Sequence, residues 1–110
     1  MDLRQFIDMT ATIAKDDFDG YLPTIMTPGD KKVSSIAGIP ATVDHRTAVQ
    51  EMIKARGLLS REFMVAVRSG EEIDVLWHRP GQSIESGSIV RTPKGLVPEY
   101  DAPCKWWELD

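Results

Sequence analysis

Two strand-length runs of the chain, Arg61 to Arg68 (REFMVAVR) and Glu72 to Arg79 (EIDVLWHR), are separated by only Ser69, Gly70 and Glu71. A connection that short, with glycine inside it, allows little other than an antiparallel hairpin. In the second run Ile73, Val75 and Trp77 alternate with Asp74, Leu76 and His78, the period of a strand with one better buried face. Whatever this chain folds into must therefore contain a sheet.

Helices are written just as locally. Leu3, Phe6, Ile7, Thr10, Ile13 and Ala14 recur at three- and four-residue spacing, one apolar stripe on a helix beginning after Met1. Asp2 is its expected N-cap, with Gln5 three residues on as a relative of the capping box. The stripe ends in Lys15 to Gly20 (KDDFDG), where acidic side chains oppose the negative helix terminus. A second helix is expected from about Asp44 to Arg56, with Ala48, Val49, Met52, Ile53 and Arg56 on one side, Asp44 as N-cap and Gly57 at the C-terminus.

Between the helices, Tyr21 to Pro28 (YLPTIMTP) and Val33 to Ile39 (VSSIAGI) flank a Pro-Gly turn and read as a hairpin. Pro23 cannot donate to a ladder, which restricts it to an edge or a strand start. After the central hairpin, Ser83 to Arg91 (SIESGSIVR) reads as a third strand of that group, followed by a Thr-Pro-Lys-Gly turn. Gly95 to Pro103 (GLVPEYDAP) has little periodicity and reads as an extended arm. The expected fold is α+β: two helices packed on one face of an antiparallel or mixed sheet of about five strands, in the order α-β-β-α-β-β-β. Residues 1–102 form a single domain, and residues 103–110 an aromatic tail lying on that domain or on a partner chain.

With 110 residues, 42% hydrophobic and 27% charged, the chain has the composition of one globular domain. No apolar run reaches the roughly 20 residues of a membrane span, and the first residues lack the basic and apolar blocks of an export signal. A single cysteine, Cys104, cannot form an internal disulfide, and the simplest setting is a reducing cytoplasm. The net charge of −4 argues against duplex nucleic acid as the main partner. Charge is uneven, though: residues 31–68 carry seven basic and three acidic side chains. A nucleic-acid accessory role through that basic middle ranks third among the functional readings.

Few motifs carry chemistry. KDDFDG aligned on an EF-hand loop puts Asp17 and Asp19 at ligand positions but Lys15 and Met26 where carboxylates belong. The two histidines, His45 and His78, stand in no zinc spacing, no nucleophile elbow or phosphate loop occurs, and no metal or cofactor is expected. Two softer signals remain. His45 and Arg46 sit in the first turn of the second helix, where positive charge opposes the dipole and an anion would relieve it, either bound or supplied from within the fold. Lys31 and Lys32 at the preceding turn would strengthen such an anion site, and His78, paired with Asp74 on its own sheet face or with a carboxylate on a neighbouring strand, would complete a cleft.

The other signal is Pro103 to Asp110, PCKWWELD. Adjacent side chains of an extended segment point to opposite sides, so Trp106 and Trp107 cannot both enter one core if the tail is a strand. One ring is then left to cover a groove or to fill a pocket on a second chain, with Leu109 beside it. The leading functional reading is accordingly a non-catalytic interaction domain, acting as a homodimer or on another protein. The alternative is a small-molecule or anion-binding domain, or a small enzyme, using Lys31, Lys32, His45, Arg46 and His78.

Overall fold

The structure is a computed structural model that describes residues 2–29, 32–40, 42–104 and 106–107. Helix α1 spans Leu3–Ala14 and helix α2 His45–Ala55, with a 3-10 turn at Leu58–Ser60. Strands β1 (Thr24–Thr27), β2 (Lys32–Ser35), β3 (Phe63–Ser69), β4 (Glu72–His78), β5 (Glu85–Thr92) and β6 (Gly95–Glu99) form one sheet in the order β2-β1-β3-β4-β5-β6. Every neighbouring pair is antiparallel. Among the described residues no helix is long and apolar enough to cross a membrane.

Both helices start where their caps predict. The Asp2 carboxylate accepts the Gln5 N–H at 2.9 Å while the Gln5 side-chain oxygen accepts the Asp2 N–H at 2.9 Å, a complete capping box. Asp44 accepts the Thr47 N–H at 3.1 Å to open α2. The central hairpin turns at Gly70, whose φ of +62° is a left-handed conformation that glycine takes without a Cβ penalty.

The α+β class and the two helices are as expected; the layering and strand number differ. Leu3, Phe6, Ile7 and Ala14 of α1 pack with Met26, Met64, Ala66, Ile73, Val75 and Ile89. Val49 and Ile53 of α2 pack with Ile25, Phe63, Val65, Val67 and Leu76. Odd and even residues of β3 thus serve different cores, so the helices lie on opposite faces of the sheet instead of one. The unbroken apolar run Phe63 to Val67, buried at every position, is the local reason: a strand covered on both faces need not alternate.

A sixth strand replaces the first part of the expected arm, because Gly95–Glu99 pairs back on β5. The Glu71–Arg91 bond, with the Arg91 N–H donating to the Glu71 carbonyl at 2.8 Å, fixes which β5 residues face β4. By alternation Leu96 and Pro98 turn their backbone groups away from β5, so proline costs the ladder nothing there. Helix α1 crosses close over β5 at Gly87, where a Cβ would come within 2.5 Å of both the Ile7 Cδ1 and the Glu99 carbonyl oxygen. Helix α2 sits over β3 on the other face, and Trp106 and Trp107 pack into the same cluster as its Val49 and Ile53.

Candidate functional site

The two tail tryptophans belong to the core cluster under α2. Trp106 is 7% exposed and joins Val49, Ile53, Phe63 and Leu76, and its carbonyl accepts the Gln50 side-chain N–H at 3.1 Å. Trp107 stands edge-on to it at 5.4 Å and 87°, and also faces the Phe63 ring at 5.9 Å. The described tail is not a strand, so backbone alternation does not separate the rings and both lie against their own domain. Trp106 is therefore an intramolecular anchor, and Trp107 a half-buried cover. Leu109 lies outside the described residues.

His78 belongs to this same cluster. Its ring stacks on Phe63 at 4.9 Å, and its Nε2 donates to the Leu59 carbonyl at 2.9 Å, while Nδ1 is buried without a partner among the described residues. It shares a sheet face with Asp74, but four strand residues separate their α-carbons by about 13 Å. The expected His78–Asp74 pair does not form: His78 is opposite Phe63 at one end of the hairpin and Asp74 opposite Val67 toward the other.

Asp74 instead meets Arg46. The Arg46 guanidinium is ion-paired with Asp74, which is 5% exposed, and lies 4.0 Å from Glu72. The anion that a basic helix start requires is thus supplied from within the fold by β4. His45 is half-buried beside Arg46 in the first turn of α2. Lys32 is exposed on β2, with β1 and β3 between it and β4, and Lys31 lies outside the described residues. The structure does not gather Lys32, His45, Arg46 and His78 around one cleft.

Other surfaces offer less chemistry. One hollow, about 680 Å³, lies between the end of α1 and the β5–β6 turn, over Phe18 and Leu96. Its most constrained polar group, Arg91, is bound by both oxygens of Glu71 at 2.6 and 2.8 Å and by Asp19 at 2.9 Å, and lies 4.4 Å over the Phe18 ring. These hydrogen bonds hold the Glu71 carboxyl below its ordinary range and raise the Arg91 pKa. Among the described residues no cluster of histidine, cysteine and carboxylate side chains could hold a metal ion.

The remaining feature is the outer edge of β2, which the residue pattern did not single out. The Ile36 N–H donates to the Pro23 carbonyl at 2.7 Å, so Ile36 and Pro23 form a hydrogen-bonded pair in the β1–β2 register. Alternation makes Ser34 opposite Ile25, and Lys32 opposite Thr27, the next such pairs. The N–H and C=O groups of Val33 and Ser35 therefore point away from β1. Beside them, Ile13, Leu22 and Val33 remain 51%, 44% and 45% exposed and line one hollow of about 240 Å³ with Tyr21 and Thr24. Ile13 was part of the helical stripe, yet it stays half exposed while Ala14 beside it is fully buried. No protein-family model, curated protein or solved structure matches the chain.

Proposed function

We propose that this is a cytoplasmic, non-catalytic interaction domain that binds an extended polypeptide segment by antiparallel addition to the outer edge of β2. The observation that carries the reading is the coincidence of outward backbone groups at Val33 and Ser35 with the apolar hollow formed by Ile13, Leu22 and Val33. An added strand takes up the backbone groups, and an apolar side chain on it fills the hollow; main-chain bonds supply affinity and the hollow supplies selectivity. Proteins ordinarily blunt such edges. The opposite edge is blunted, since Pro98 removes an outward N–H from β6. β2 carries no proline, and its alternating Val33 and Ser35 side chains keep the face beside the hollow small. The exposed lone Cys104 suits a reducing compartment.

The test is selection of peptides from a displayed library on the wild-type chain, followed by binding to Ser35→Pro. Proline there removes an outward N–H and no β1–β2 bond, so the fold should persist by circular dichroism. Selected peptides should lose at least about tenfold in affinity, the equivalent of one lost hydrogen bond, and should protect the Val33 and Ser35 amides from hydrogen exchange. Peptides that bind both chains equally would reject the reading.

A further inference from the structure

We infer that the strand received by β2 is β2 of a second copy, paired antiparallel about a two-fold axis through Ser34; this rests on the strand-addition reading above. The outward groups of β2 are two N–H and two C=O, on Val33 and Ser35. A two-fold axis at Ser34 sets Val33 opposite Ser35 of the second copy, and Ser35 opposite its Val33. Each such pair exchanges two hydrogen bonds, so all four groups of each copy are satisfied within the strand itself. An axis at Val33 or at Ser35 would pair only one of them inside the strand and send the other past its end.

Side chains agree with that register. The axis is perpendicular to the sheet, so both α1 helices lie on the same side and the two Ile13, Leu22 and Val33 hollows border each other across the seam. On the opposite face Ser34 meets Ser34 of the second copy, two small side chains at the close, non-hydrogen-bonded position. Lys32 falls opposite Ile36 of the second copy. A parallel pairing would instead set lysine directly against lysine, which is destabilising. The arrangement also closes: six strands from each copy make one twelve-stranded sheet, and both of its ends are β6 edges interrupted by Pro98.

The test uses the full chain with Cys104→Ser, carrying Ser34→Cys, Val33→Cys or Ser35→Cys singly. Paired Ser34 α-carbons would lie about 4.5 Å apart, inside the disulfide range, whereas the same-residue distances at positions 33 and 35 would be about 8 Å, outside it. Mild oxidation should therefore give a covalent dimer from Ser34→Cys and little from its neighbours. Sedimentation equilibrium should give two chains for the wild type and one for a folded Ser35→Pro. Equal cross-linking at all three positions, or a dimer that survives in folded Ser35→Pro, would overturn the inference. So would a wild-type monomer at millimolar concentration. If that monomer still takes selected peptides at β2, self-pairing alone fails; if it takes none, the strand-addition reading fails with it.

Discussion

Replacing Trp106 by alanine separates a tail that anchors its own domain from one that reaches for a partner. A tryptophan side chain buries about 150–250 Å²; at about 25 cal/mol per Å² this corresponds to about 4–6 kcal/mol against an extended chain. A realistic unfolded ensemble reduces the figure by about 10–40%, giving about 3–5 kcal/mol, the usual range for aromatic truncation in a core. That is a large fraction of the about 5–15 kcal/mol that stabilises a domain of this kind. With an unfolding entropy of about 2.1 cal/mol/K per residue, 110 residues make it a drop in Tm of about 13–22 °C. Trp107→Ala removes a half-buried ring and should cost only about 1–2 kcal/mol. Urea unfolding followed by circular dichroism at several protein concentrations checks both. A loss below about 1 kcal/mol for Trp106→Ala would refute its placement in the core. A wild-type stability that rises with concentration, and no longer does so in Trp106→Ala, would place the ring at a chain–chain contact instead.

Two further outcomes follow from the packing and the titrating groups. Gly87→Ala inserts a methyl 2.5 Å from the Ile7 Cδ1 and from the Glu99 carbonyl oxygen; because one of those neighbours is backbone, it should destabilise by about 1–3 kcal/mol in the same urea assay, and Ile7→Val should not restore it fully. Burial raises the Tyr21 pKa, and the hydrogen bond to Asp8 raises that of Tyr100, so an ultraviolet titration should show both tyrosines ionising above their ordinary value of 10.0. Both shifts are upward on acids, so their stabilising contributions are complete below pH 10 and disappear as pH rises through the folded-state values. A tyrosine ionising at or below 10 would contradict these contacts.

Much of this fold is legible residue by residue because its signals are short-range. Asp2 with Gln5 and Asp44 with Thr47 are caps that close within three residues, and the turn at Gly70 needs nothing beyond its two flanking strands. β6 was harder to read. Its Pro98 argues against a strand until the neighbouring β5 shows that the missing N–H faces outward. The candidate site was less legible still. The helix-start signal at His45 and Arg46 did call for an anion, but Asp74 and Glu72 come from 26 or more residues away, and only the sheet brings them there. His78 reads as a titratable group on a half-exposed strand, yet stacking against Phe63 and the Leu59 carbonyl makes it part of an aromatic wall.

What the sequence alone determined is the set of elements: two capped amphipathic helices, a tight central hairpin and an aromatic tail without partners of its own in sequence. Periodicity and capping act over a few residues, so they are written where they operate. Tertiary structure decided which side of the sheet each helix covers, where the two tryptophans go, and which strands stand at its edges. Those depend on strand register and on the path of the chain between elements, where a shift of one residue exchanges the faces of a whole strand. The outward backbone groups at Val33 and Ser35 illustrate the division. Their residues say nothing unusual, and only the pairing of Ile36 with Pro23 turns them toward the edge.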